Sequence, residues 1–207
     1  MEEPPAVKCF QHCDRQTNIL CFMLPHVCPL CGEDTLNTES RIPPYQIPSP
    51  FVNARQHACS VVIRPTTGTF LRDYENNSNL HVGVTNSRGD VYDFDEEGIH
   101  VNNALWENCI AIPIIQTTNT VCQNWDTDLV LMSQNVSWSK KRYNEVNYNC
   151  FDFVISFLRH VLPKWKIHEN KTRFCEEFIL PHTAKVAKYI GIYRNVQKHG
   201  YVCQNVS

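Results

Sequence analysis

The stretch that decides the fold reads Asn149-Cys150-Phe151-Asp152-Phe153-Val154-Ile155-Ser156-Phe157-Leu158 and is the most apolar segment of the 207-residue chain. Its apolar side chains recur at the spacing of one helix face, and further apolar positions widen that face. The pattern predicts a nearly buried helix with Cys150 in its first turn and Pro163 at its end. Unpaired N–H groups and the positive end of the helix dipole favour a thiolate there, so Cys150 is a candidate nucleophile. The alternative is that Cys150 is a small buried hydrophobic residue, as most free cysteines are.

Composition and charge limit the classes of protein to consider. Hydrophobic residues make up 43% of the chain, which is enough for one full core and a small additional module. The formal net charge is −2 and the basic residues are scattered apart from Lys140-Lys141-Arg142, so we expect no nucleic-acid partner. No stretch approaches the ~20 apolar residues of a membrane span. The N-terminus, Met1–Pro5, is acidic and lacks an apolar signal region, so we expect an intracellular protein of the cytoplasm or nucleus.

Cysteines and prolines divide the chain into two parts. The chain has eleven cysteines, an odd number that favours reduced thiols over a disulfide framework, and five of them precede residue 40. The segment Arg41–Pro50 then holds four prolines in ten residues, which is typical of an extended connector. We therefore predict a Cys-rich module with its connector over residues 1–50 and a second domain over residues 51–207.

Several short segments of the second domain have the composition of strands. They are Cys59–Arg64, Gly68–Leu71, Leu80–Thr85, Val91–Phe94 and the proline-containing run Cys109–Ile115, which suits an edge strand. The polar residues 86–90 between the third and fourth segments predict a hairpin. Alternation along the third segment puts His81, Gly83 and Thr85 on one face, away from the apolar face. Towards the C-terminus the pattern predicts a short helix over 173–180, an interruption at Pro181 and a second helix over 183–196 that Gly200 stops.

The sequence Cys28-Pro29-Leu30-Cys31-Gly32 is a C-x-x-C knuckle, in which two thiolates and a following glycine can hold one face of a tetrahedral metal ion. His12 and Cys13 precede the knuckle, and His57 and Cys59 follow it. The set that we favour is Cys13, Cys28, Cys31 and Cys59, which would form a closed, structural zinc site. The alternative is a tight turn with two thiols and no metal. No pattern in the chain indicates an organic cofactor.

Four stretches of the sequence carry a family resemblance. They are Cys28-Pro29-Leu30-Cys31, Arg64–Arg72, Leu80–Asn86 and Tyr148-Asn149-Cys150, and through them the chain resembles the makorin-2 opposite-strand protein family over nearly its whole length. More distantly, a histidine strand that precedes a cysteine helix resembles the circularly permuted papain-like superfamily. Its members include NlpC-type peptidases, lecithin:retinol acyltransferase and PPPDE-type peptidases.

The superfamily resemblance implies an α+β fold in which an antiparallel sheet packs on the buried cysteine-bearing helix. It implies Cys150 as nucleophile and His81 as general base. One departure stands out, because related signatures have a histidine two places after the cysteine and this chain has Asp152. Asp93 and Asp95 are the candidates for a third residue that orients His81.

Two functions from different classes therefore remain. The first is a Cys-His thiol hydrolase or acyltransferase that forms an acyl-enzyme on Cys150, acting on a peptide bond, an isopeptide bond or a lipid ester. The absence of an amphipathic basic helix favours a protein or peptide substrate. The second is a catalytically inactive papain-like adaptor that binds other proteins.

Overall fold

The computed structural model describes residues 4–102, 104–114, 124–165 and 170–206. These form two compact units, one of residues 1–50 together with 186–207 and the other of Phe51–Lys185. The first border coincides with the end of the proline-rich segment. The C-terminal segment joins the N-terminal unit, whereas the sequence pattern assigned it to the second domain.

The fold is α+β with antiparallel sheets. Along the chain the strands are β1 (Lys8–Gln11), β2 (Thr17–Cys21), β3 (Ile42–Gln46), β4 (Ser60–Pro65), β5 (Leu80–Thr85), β6 (Val91–Asp95), β7 (Gly98–Val101), β8 (Ile110–Pro113) and β9 (Tyr201–Asn205). The helices are α1 (Trp125–Ser133), α2 (Cys150–Val161), α3 (Lys171–Phe174) and α4 (Leu180–His199), with a π-helical turn at Cys175–Ile179. Among the described residues, no helix combines the length and apolar character that a membrane span needs.

The first unit contains a four-stranded sheet in the order β3-β1-β2-β9. Strand β3 lies in the proline-rich segment, where its two prolines fit an edge strand. Strand β9 was not expected from the sequence. It follows Gly200, whose φ of +82° ends α4 as predicted, and pairs along its whole length with β2. A small core of Phe10, Ile19, Cys21 and Cys28 lies within this unit.

The second unit contains a five-stranded sheet in the order β7-β6-β5-β4-β8. The predicted hairpin is confirmed, since β5 and β6 are antiparallel neighbours with Gly83 opposite Asp93 and Thr85 opposite Val91. Strand β8 lies at the sheet edge, as its proline predicted, and Ile115 of that run falls outside the described residues.

Helix α2 packs on β5 and β6, so the sheet lies against the cysteine-bearing helix, as the superfamily resemblance implied. Aromatic side chains make this contact. Trp138 packs edge-on against Phe153 of α2 and Phe94 of β6, with ring centroids 5.2 and 5.3 Å away. Trp125 packs in the same way against Phe157, at 4.7 Å. This layer holds the first turn of α2 beside the strand that bears His81.

Two predicted elements are wrong. Gly68–Leu71 is a turn, because Gly68 adopts a φ of +69° and the Asp73 carboxylate accepts the N–H of Thr69 at 2.8 Å. Pro181 does not interrupt the C-terminal helix, since helical residues run without a break from Lys171 to His199. The π-helical turn Cys175–Ile179 directly precedes α4, so Pro181 lies where the hydrogen bonding changes from π-helical to α-helical.

Candidate functional site

Cys150 is the first residue of α2 and is 4% exposed. Asn149 caps the helix, with its side-chain oxygen accepting the N–H of Phe151 at 3.0 Å. The Asp152 carboxylate accepts the N–H of Asn149 at 2.8 Å and completes a capping box. The acidic residue that departs from the histidine of related signatures is thus part of the helix cap that fixes Cys150.

An ion pair also supports the cap. Lys171, at the start of α3, donates to Asp152 at 2.5 Å and to the carbonyl of Val146 at 3.2 Å. Both members of the ion pair are less than one-third exposed. The loop before Cys150 is therefore fixed from both sides, by its own cap and by α3.

His81 lies in β5 and is 5% exposed. Its Nε2 donates to Asp93 Oδ1 at 2.9 Å. Asp93 lies opposite Gly83 and not opposite His81, so the hydrogen bond runs diagonally across the two strands. The missing side chain at Gly83 makes room for it, because a Cβ there would meet Asp93 Cβ at 3.3 Å and the Tyr92 carbonyl oxygen at 3.0 Å.

The same imidazole interacts with the side chain of Cys150. Since Nε2 is directed at Asp93, the nitrogen left for the sulfur is Nδ1. Burial lowers the pKa of His81, but the hydrogen bonds and negative charges of Asp93 and Cys150 outweigh it and raise the pKa from 6.5 to about 9. An imidazolium beside a sulfur is the setting in which proteins favour a thiolate.

A buried layer behind Asp93 completes the arrangement. Trp106 is 1% exposed, and its Nε1 donates to the second carboxylate oxygen of Asp93 at 3.2 Å. The guanidinium of Arg64 lies over the Trp106 ring at 5.2 Å. Both oxygens of the 4% exposed Asp93 side chain therefore have donors, which is the condition for keeping a carboxylate in a buried place.

The structure thus brings together the two residues of the predicted pair and selects between the two candidates for the third. Asp93 contacts His81, while Asp95 accepts from His100 at 2.8 Å. Sequence reasoning missed Trp106, because a tryptophan 13 residues beyond Asp93 gives no signal of a contact with β6. A cysteine, a histidine and a carboxylate that contacts the histidine are side chains that covalent acyl-transfer chemistry can use.

A separate group of potential metal ligands lies in the first unit. The ligand atoms of His12, Cys13, Cys28 and Cys31 all lie within 4.8 Å of one another. Such a group can hold a metal ion. Cys59, which the sequence analysis favoured as a fourth ligand, is not a member: it precedes β4 in the other unit, with a φ of +48°. The place in the group is taken by His12, which follows β1 directly.

Neighbouring groups shift the pKa of two thiols of this group. Burial and hydrogen bonds from Cys31 and Cys28 raise the pKa of Cys13 to about 11. At Cys28 burial acts in the same direction, but N–H groups of Cys31 and Leu30 outweigh it and lower the pKa. His12, Cys13 and Cys31 also line an open cavity of about 1000 Å³, so solutes have access to the group.

Comparison with known proteins shows the family to which the chain belongs. The family described as DUF4796 C-terminal matches residues 44–196, and DUF4796 N-terminal matches residues 5–34. The chain therefore belongs to the DUF4796 family. It is similar to the MKRN2 opposite strand protein of Homo sapiens, with 35% identity over 194 residues that cover 93% of this chain and 86% of the human protein. This places the chain in the makorin-2 opposite-strand family that its motifs indicated. No solved structure matches it significantly.

Proposed function

We propose that the protein is a thiol hydrolase or acyltransferase that forms an acyl-enzyme on Cys150. The observation that carries the proposal is the continuous chain of side-chain contacts from Cys150 through His81 to Asp93. The order of the histidine strand and the cysteine helix fits a permuted papain-like fold. Each member has a role: Cys150 attacks, His81 moves the proton, and Asp93 holds the imidazole with Nδ1 towards the sulfur.

The reaction begins from the form in which His81 Nδ1 already holds the proton of the Cys150 thiol. The sulfur attacks the carbonyl carbon of the substrate, and the N–H groups of the first turn of α2 stabilise the oxyanion. The bond from carbonyl carbon to leaving group then breaks, and the leaving group takes the proton from Nδ1. In the second half of the reaction, water or another acceptor loses its proton to His81 and attacks the thioester, which frees the sulfur.

A peptide or isopeptide bond in a protein is the substrate class that we favour. The sequence offers no amphipathic basic helix to hold the chain on a lipid surface. This makes a protein or peptide a better candidate than a membrane lipid.

The test uses p-nitrophenyl acetate, whose acetyl group any competent thiol accepts with release of coloured nitrophenolate. Peptide mapping by mass spectrometry then identifies which of the eleven cysteines carries the acetyl group. We expect acetylation at Cys150, its loss in Cys150→Ser and a decrease of about 100-fold or more in His81→Ala. Cys175→Ser is the matched control, because Cys175 is close enough to interact electrostatically with Cys150 but has no contact with His81 among those described. It should retain the rate.

One observation favours the alternative, a catalytically inactive papain-like adaptor with a zinc-stabilised N-terminal unit. Only 4% of Cys150 is exposed, whereas a nucleophile must meet its substrate. In the adaptor the Cys150, His81 and Asp93 contacts serve only to hold α2 on β5. Acetylation that is indifferent to both Cys150→Ser and His81→Ala would select the adaptor and reject the enzyme.

A further inference from the structure

We infer that His12, Cys13, Cys28 and Cys31 bind one zinc ion in a closed, structural site. Three thiols and one imidazole are donors that zinc prefers, and four of them complete its tetrahedral shell. Cys28 and Cys31 come from the knuckle after β2, while His12 and Cys13 follow β1. The ligands therefore arrive in two adjacent pairs from two different loops of the same sheet.

The distances fit such an ion. Zinc bonds of ~2.3 Å to sulfur and ~2.0 Å to nitrogen, at tetrahedral angles, put neighbouring ligand atoms ~3.5–3.8 Å apart. The Cys13 and Cys28 sulfurs are 4.0 Å apart, and Cys31 Sγ is 3.3 Å from His12 Nδ1. No two of the four atoms are more than 4.8 Å apart, so side-chain rotations that move single atoms by ~1 Å close the shell around an ion.

The hydrogen bonds around the group also suit a metal. Thr38 donates its hydroxyl proton to the Asp34 carbonyl, so its oxygen accepts from His12 Nε2, which is 2.6 Å away. This leaves the proton of a neutral imidazole on Nε2 and the lone pair of Nδ1 directed at the thiols. A second hydrogen bond of this kind is what fixes the tautomer of histidine ligands in metal sites. In the knuckle, the N–H of Leu30 points at Cys28 Sγ at 3.4 Å.

The site would stabilise the first unit as a whole. Cys28 belongs to the small core with Phe10, Ile19 and Cys21 as well as to the ligand group. Strand β2 in turn pairs with β9, so an ion that joins the β1 and β2 loops supports the strand to which the C-terminal segment is bound. A core this small is of the kind that structural metals commonly supplement.

Metal analysis of the full chain tests the proposal. We expect about one zinc per chain by elemental mass spectrometry in protein purified without chelator or added metal. Cobalt exchanged into the wild-type protein should give a thiolate charge-transfer band and tetrahedral d–d bands. Wild-type protein that holds less than ~0.2 zinc and gives no thiolate band, or that holds iron instead, overturns the proposal without recourse to any variant.

Variants then test the ligand set. Cys31→Ser and His12→Ala should lose zinc, and His12→Cys should retain it because it restores a soft donor. Cys59→Ser is the control and should retain zinc. Thr38→Val should weaken zinc binding about 10- to 100-fold in a competition assay with a coloured chelator. Zinc lost in Cys59→Ser but retained in His12→Ala would overturn the assignment of His12.

Discussion

The carboxylate of Asp93 accepts a hydrogen bond from His81 Nε2 at 2.9 Å although the two residues are not paired across their strands. The contact is diagonal and depends on Gly83, the residue that faces Asp93. Its consequence is electrostatic, because a buried carboxylate on one ring nitrogen keeps the imidazole charged to a higher pH than usual.

Replacing Asp93 with asparagine tests this relationship. The change keeps the shape of the side chain and removes its charge, so the pKa of His81 should fall and its tautomer should no longer be fixed. We expect the acetylation of Cys150 by p-nitrophenyl acetate to slow by about tenfold or more. Asp95→Asn is the matched control, since Asp95 contacts His100, and it should leave the rate unchanged. Equal rates in both variants would exclude a role for Asp93 in orienting His81.

The raised pKa of His81 also predicts how stability depends on pH. In the unfolded chain His81 has a pKa of 6.5, and in the folded protein about 9. The folded protein therefore binds this proton more tightly than the unfolded chain does, which stabilises the fold. This stabilisation is complete below about pH 6.5 and is lost as pH rises through about 9. At ~1.4 kcal/mol per pKa unit, it amounts to about 3–4 kcal/mol.

Urea unfolding at pH 6 and pH 9.5 measures the contribution. All four tryptophans lie in Phe51–Lys185, so their fluorescence follows the unit that contains His81. The wild-type protein should lose more free energy of unfolding between the two pH values than His81→Gln does. If both proteins lose the same free energy of unfolding between pH 6 and pH 9.5, the folded state does not bind the His81 proton more tightly than the unfolded chain.

The parts of the fold that the sequence revealed are those set by local pattern. The helix at Cys150 and the β5–β6 hairpin follow from periodicity and from a polar turn, both of which lie within a few residues. The sequence could not choose between Asp93 and Asp95. Alternation along a strand predicts the face on which a side chain lies, but not which residue lies diagonally across from it on the neighbouring strand. The sequence could not show that His12 and not Cys59 belongs to the ligand group. The pairing of β1 with β2 brings His12 to the knuckle, and this pairing is a tertiary contact between short strands. Strand β9 was missed for the same reason, since its partner is nearly the whole chain away.

Removing the carboxylate of Asp152 should destabilise the protein through the helix cap. Asp152→Ala loses the capping-box hydrogen bond to Asn149 and the ion pair with Lys171, and we expect a cost of about 1–2 kcal/mol in unfolding followed by tryptophan fluorescence. Lys171→Met removes the ion pair and the hydrogen bond to the Val146 carbonyl but leaves the capping box, and should cost less than about 1 kcal/mol. If the two variants cost the same, the ion pair and not the cap is what Asp152 supplies.

A methyl group added at Gly83 should disturb the site although Cys150, His81 and Asp93 themselves are unchanged. A Cβ there would lie 2.8 Å from Val91 Cγ1 and 3.0 Å from the Tyr92 carbonyl oxygen, and backbone of a paired strand cannot give way easily. We therefore expect Gly83→Ala to cost about 1–3 kcal/mol and to slow the acetylation of Cys150, because Asp93 is pushed from its place beside His81. Gly191→Ala is the matched control: nothing lies within 4 Å of its Cβ position in α4, so it should be neutral or stabilise that helix by about 0.5–1 kcal/mol. Gly83→Ala with wild-type stability and wild-type acetylation would show that the close approach of β5 and β6 at this position is not what holds Asp93.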